Sequence, residues 1–170
     1  MASISGGDKI SRVMAEIGKS ASIKMNAGIL AGATNEDTGE LVATYAAANE
    51  YGTKNIPARP FMRNTVAEKS EEWGASAAKL MKGQTQNADG FRNAFNVLGM
   101  IVVQDIKDSI EKSVPPPNKP STIENKRRKG RARPEMTLVD SGSMQRSVDY
   151  EIIEVTSGFA WWNPLTWFKK

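Results

Sequence analysis

The sequence predicts an α+β domain, a small mainly antiparallel sheet packed against two long helices. Apolar residues alternate with polar ones at both ends of the middle portion, over residues 22–30 and 147–155, which is the period of half-buried strands. Between them, two long stretches place apolar residues three and four apart, the spacing of helices that bury one face. Proline falls between these segments or at the start of one, never in an interior.

Along the chain, residues 1–20 form an N-terminal arm or short helix, with a weak repeat at Ile10, Val13, Met14 and Ile17. The main domain spans 21–156. In the first strand Ile23, Met25, Ala27 and Ile29 alternate with Ser22, Lys24, Asn26 and Gly28. GATNEDTGE follows as a polar loop, then LVATYAAANEY as a helix with Gly52 as its stop. Pro57 and Pro60 push the residues before them toward extended geometry, and Pro60 suits the first position of the next helix. That helix, 60–82, shows Met62, Val66, Trp73, Ala77 and Leu80 on one face, and KGQTQNAD breaks it.

The clearest periodicity lies in 90–113, where Phe91, Phe95, Leu98, Val102, Ile106 and Ile110 form the stripe of a packed helix. A Pro-rich and basic connection is expected over 114–137: PPPNKP as a stiff extended segment, then a mobile loop. The second strand alternates Val148, Tyr150 and Ile152 with Asp149 and Glu151 and is expected to run antiparallel to a neighbour. A Trp-rich C-terminal arm, 157–170, ends the chain.

Composition removes whole classes of chemistry. The 170 residues carry a net charge of +4, which permits an anionic partner without requiring one. Cysteine and histidine are both absent, so thiolate chemistry, disulfides, imidazole bases and imidazole metal ligands are excluded. No apolar run is long enough to span a membrane, and the first residues lack the order of a secretory signal, so a cytoplasmic site of assembly is expected. A Ser–Lys dyad, a carboxylate pair or an oxygen-ligated metal remains in principle. The serines of DSGS lack a glycine elbow, and Asp140 or Ser141 reads as the N-cap of a short helix beyond Gly142. Glu71 and Glu72 are adjacent on one helix and do not converge. GILAG and SGG lack the lysine and spacing of a phosphate loop. No catalytic residue, cofactor or metal is expected.

Three features suit binding instead. The stretch NEYGTKNIPARPFMRNT makes a rigid corner: Glu50, Tyr51 and Gly52 close one helix, Pro57 and Pro60 direct the next, and Phe61 lies beneath. Arg59 and Arg63 beside it suit charge-assisted contacts within the subunit or with a neighbour. The run Lys126, Arg127, Arg128, Lys129, Arg131 and Arg133 suits phosphates, an acidic protein surface or simple solvation. Trp161, Trp162, Trp167 and Phe168 read as a docking arm, as a tail folded back on its own domain, or as a membrane-interface segment, the arm being preferred because Pro164 breaks the helix.

An Ala-rich helix ending in NEYGT, then IPARPFMR opening a long helix, closely resembles the tail-completion proteins of long-tailed bacteriophages, the tail-terminator or neck proteins. LVDSGSMQRSVDYEI resembles the closing turn and strand of that family. The resemblance covers about residues 20–155 and is specific in these two motifs. It implies an α/β subunit that assembles into a ring, usually of six, located at the virion neck or proximal tail. Such a ring caps the head-proximal end of the tail tube and joins it to the head connector or stopper protein. Implied partners are further copies of the chain, the tail tube protein, the connector and DNA passing through the lumen, with no membrane. A basic nucleic-acid-binding module, or another minor tail or assembly protein, is the alternative.

Overall fold

The computed structural model describes residues 23–82 and 88–154. The expected N-terminal helix and the aromatic arm with Trp161, Trp162, Trp167 and Phe168 lie outside them. The described chain runs β1 (Ile23–Ile29), α1 (Val42–Tyr51), α2 (Phe61–Met81), α3 (Ala88–Glu111), α4 (Pro120–Arg128), α5 (Ser143–Arg146) and β2 (Val148–Glu154). The α+β class is as expected: β1 and β2 pair antiparallel, and the long α2 and α3 pack against each other, with α3 crossing the sheet.

Register explains how the sheet faces its helices. Ile29 pairs with Val148, Ala27 with Tyr150 and Met25 with Ile152. Met25, Ala27, Ile29, Val148 and Tyr150 belong to the core or pack on it. The alternate positions carry Lys24, Asn26, Asp149 and Glu151, and Asn26 donates from its side-chain amide to Glu151 Oε1 at 2.9 Å across the strands. A one-residue slip would move the whole apolar set to the opposite face, so this pattern fixes the pairing.

The sheet reaches α3 through Gly99. A methyl group at Gly99 would overlap Tyr150 Cγ, Cδ2 and Cε2, so the aromatic ring lies directly on helix backbone. Tyr150 Oη donates to Asn96 Oδ1 at 3.3 Å, one turn earlier. Gly99→Ala is therefore expected to destabilise the domain although alanine is the better helix former by about 1 kcal/mol. Overpacking of this kind costs about 1–3 kcal/mol, leaving a net loss read as a lowered urea midpoint. A gain in midpoint would show that Tyr150 does not rest on this helix.

The α3 stripe packs much as its period suggests: Leu98, Val102, Ile106 and Ile110 are buried, with Ile110 fully so. In α2 the inward line is shifted by one residue. Phe61 and Thr65 are buried, whereas Val66, expected on the core face, is 46% exposed. Farther along, Trp73, Ala77 and Leu80 do pack on the core, and Trp73 Nε1 donates to Asp105 Oδ2 at 2.7 Å. Pro60 takes the cap position of α2 rather than the first helical one, its carbonyl accepting from Asn64 N–H at 3.0 Å.

The connection expected to be a mobile basic loop is a correction. Residues 112–119 are irregular and not uniformly extended, with Ser113 at φ 54° and a cis Pro115–Pro116 bond, and 120–128 form α4. Pro120 opens that helix, where its missing N–H removes nothing, and the basic last turn favours the negative end of the helix dipole. Gly130, at φ 69°, lets the chain leave, with Arg131 N–H bonding back to Lys126 O at 3.0 Å. The whole segment is tied down: Thr137 Oγ1 donates to Val114 O at 3.0 Å, and Asn118 Nδ2 to Met136 O at 3.0 Å.

Candidate functional site

The proline corner begins where α1 ends. Gly52 takes φ 77° and ψ 167°, a conformation for which side chains are penalised, and a Cβ there would lie 2.9 Å from Ala58 N. Thr53 organises the following turn: its N–H donates to Ile56 O at 2.8 Å, and its Oγ1 accepts from Ile56 N–H at 3.1 Å. Arg59 N–H then donates to Asn49 O at 2.6 Å, returning the chain to the last turn of α1.

Glu50 does more than close α1. Its buried carboxylate caps the next helix from outside: Oε2 accepts from Met62 N–H at 2.9 Å, and Oε1 from Arg63 N–H at 3.1 Å. No residue of α2 supplies a side-chain cap of its own. Arg63 completes the clasp, with Nε on Glu50 Oε1 at 2.9 Å and Nη2 on Glu50 O at 2.8 Å. Its guanidinium stands 5.1 Å from the centroid of the exposed Tyr51 ring. A carboxylate at a helix N-terminus meets unpaired N–H groups and the positive end of the dipole together.

Phe61 is buried under this clasp, and its carbonyl accepts from Thr65 Oγ1 at 2.7 Å and from Ser109 Oγ of α3 at 3.1 Å. Arg59, also buried, turns the other way: Nε donates to Pro116 O at 2.9 Å, and Nη2 reaches Pro117 O and Asn118 Oδ1, each at 3.4 Å. Arg59 and Arg63 thus both make contacts within the subunit. The corner thus joins α1, α2, α3 and the Pro-rich segment.

The basic run does not form one cationic surface. Lys126 is buried, and Nζ donates to Met136 O at 2.6 Å and Val139 O at 2.7 Å. Arg127 pairs with Glu135 at 3.2 Å, and Arg133 with Glu111 at 3.4 Å. Arg131 bonds both Asp37 and Asp140, and these bonds hold its pKa above the usual arginine value. Arg128 bonds the side chain of Asn125. Arg128 and Lys129 are left as the exposed cations of the run with no carboxylate partner among the described residues.

In the DSG turn neither Asp140 nor Ser141 takes the cap position of α5, although Ser141 Oγ accepts from Ser143 N–H at 3.4 Å. The cap position belongs to Gly142 at φ 82°, with no side-chain cap. Asp140 is committed to Arg131, and Ser141 Oγ shares a 2.7 Å hydrogen bond with Ser143 Oγ. Arg146 Nη1 donates to Ser141 O at 2.9 Å and braces the turn. Proximity in sequence suggested a cap; the ion pair with Arg131 removes Asp140 from that role.

Sequence reasoning missed Asn118, Thr137 and Tyr45, which join α1, α4 and the DSG turn around a small cleft. Short polar residues in a proline-rich stretch carry no periodic signal. Among the described residues no group of three acidic side chains is placed to hold a metal ion, and no helix is long and apolar enough to cross a membrane. Comparison with protein-family models, curated proteins and solved structures yields no match to this chain.

Proposed function

We propose that the chain is a structural virion protein of the phage head–tail interface, forming a homo-oligomeric ring that caps the head-proximal end of the tail tube and joins it to the connector. The resemblance of NEYGT–IPARPFMR and LVDSGSMQRSVDYEI to tail-completion proteins is one support. The observation that carries the reading is the surface the corner holds out. From Leu41 to Asn49 the chain has no charged residue except Glu40 just before it and the buried Glu50 just after. Yet Leu41 is 51% exposed and Tyr51 70%. Such a partly apolar helix face, uncharged between Glu40 at one end and the Arg63 guanidinium over Tyr51 at the other, suits coverage by another copy.

Ring formation gives that surface a purpose. Tube rings that stack head to tail extend until a different ring ends them, and a subunit matched to the tube on one side only would do so. The work is done by fitted surfaces, so a corner locked by Glu50, Arg59 and Phe61 is the feature such a subunit needs. The nucleic-acid reading draws less support, since Lys126 is buried and Arg127, Arg131 and Arg133 are paired with acids.

Electron microscopy of particles made with and without this protein tests the proposal. Loss of the protein is expected to give overlong tails beside full heads that lack tails. Normal virions in its absence would overturn the reading.

A further inference from the structure

Arg59 and Lys126 are both buried, and both bind only neutral oxygens. Arg59 donates to Pro116 O, Pro117 O and Asn118 Oδ1, and Lys126 Nζ to Met136 O and Val139 O. Asn118 links the two sets, since its Nδ2 donates to the same Met136 O that accepts from Lys126. The acid nearest in effect, Asp140, is held by Arg131. Burial lowers the Lys126 pKa; Asp140 opposes that shift, while Arg59 and Arg131 add to it. The ammonium therefore sits in a region short of negative charge.

A cleft of ≈ 140 Å³ opens beside it, with Lys126, Tyr45, Asn35, Asn49, Ser141 and Ser143 in its wall. Several donor hydrogens there have no acceptor. An ammonium has three N–H groups, and Lys126 uses two. The Tyr45 hydroxyl is buried with no hydrogen-bond partner; Asn35 sits beside it outside bonding geometry. Ser141 and Ser143 share one hydrogen bond, which leaves one of their two hydroxyl hydrogens without use in that pair. Buried polar groups in native proteins are satisfied as a rule, so these donors call for an acceptor from elsewhere.

We propose that this cleft binds one carboxylate group. Two acceptor oxygens and a single charge match the Lys126 ammonium and the free hydroxyls. The volume suits a group the size of a few water molecules. A phosphate dianion would bring a third oxygen and a second charge toward Asp140, which also lines the cleft. Such a carboxylate has two sources, an acidic side chain of a second copy or a free small acid.

Acetate, titrated into the full chain against chloride at equal ionic strength, is the probe, followed by the backbone amide shifts of Gly142 and Ser143. Saturable shifts are expected, with a Kd on the order of 1–10 mM. Tyr45→Phe removes only a buried hydroxyl that bonds nothing, so its urea midpoint in chloride should be no lower than that of the parent. Its acetate affinity should fall about tenfold or more, the loss of one hydrogen bond to a charged group. Lys126→Met should abolish saturation, and if that variant does not fold, Tyr45→Phe decides alone. Shifts that never saturate, or Tyr45→Phe binding acetate as tightly as the parent, overturn the site. Sedimentation in the same samples separates the sources: acetate that disperses associated copies assigns the carboxylate to a second copy, and binding without change in association assigns a free acid. The site stands or falls separately from the ring, because acetate binding by a chain that forms no ring supports the one and not the other.

Discussion

Glu50→Ala is expected to lower the stability of the domain by about 3–4 kcal/mol, the sum of two or three hydrogen bonds to a charged acceptor discounted for relaxation. The carboxylate is buried and accepts from Met62 N–H, Arg63 N–H and Arg63 Nε. Alanine leaves the first turn of α2 with unpaired N–H groups, no negative charge at the positive end of its dipole, and Arg63 without a partner carboxylate. Glu50→Gln keeps an acceptor oxygen but not the charge, and should recover about half the loss. Arg63→Ala removes a side chain that is 57% exposed and should cost no more than about 1 kcal/mol. Urea denaturation of the three variants and of the double variant checks this. With Glu50 already alanine, Arg63→Ala should be nearly silent. A loss below about 1 kcal/mol for Glu50→Ala would mean that α2 is capped by solvent and that the corner is not held by this residue.

The role of Glu50 marks the limit of what the sequence alone reveals. Strands, long helices and their antiparallel order were legible because each is a local pattern: Met25, Ala27 and Ile29 alternate, and Leu98 to Ile110 step by three and four. The corner was legible as a corner, from two prolines and a glycine. Who bonds whom inside it was not, because Glu50 acts twelve residues away on Met62, and Arg59 acts fifty-seven residues away on Pro116. The basic run misled for a related reason. Its charges read as a solvated loop until Asp37 and Glu111 from distant segments, and Glu135 and Asp140 from just beyond the run, are seen to meet them. Helix α4 did leave a signal in Pro120, the basic last turn and Gly130, but the density of charge and proline obscured it.

Gly52→Ala should be nearly as damaging as loss of Glu50, at about 2–4 kcal/mol, from backbone strain with a steric clash added. At φ 77° and ψ 167° a residue with a side chain is strained wherever there is space, and here there is none: the new Cβ would lie 2.9 Å from Ala58 N and 3.2 Å from Ala58 Cα. Backbone, not a flexible side-chain end, is what the methyl meets. To escape, residues 53–58 must move away from α1, which breaks the Arg59 N–H bond to Asn49 O and shifts Pro60 and Phe61 with it. The Glu50 carboxylate then faces a displaced helix start, so the two substitutions act on one structure. Their combined cost should fall short of the sum by about 0.5–3 kcal/mol, the range for groups in one network. Full additivity would show that the turn and the clasp are independent. Gly39→Ala is the control, since Gly39 also has positive φ, 71°, but nothing stands within 4 Å of its added Cβ. Its loss should stay near 1 kcal/mol, the backbone term alone. A Gly52→Ala variant no weaker than that control would mean the bend yields freely, and a surface mounted on a yielding bend could not hold Leu41 and Tyr51 in a fixed orientation toward a neighbouring subunit.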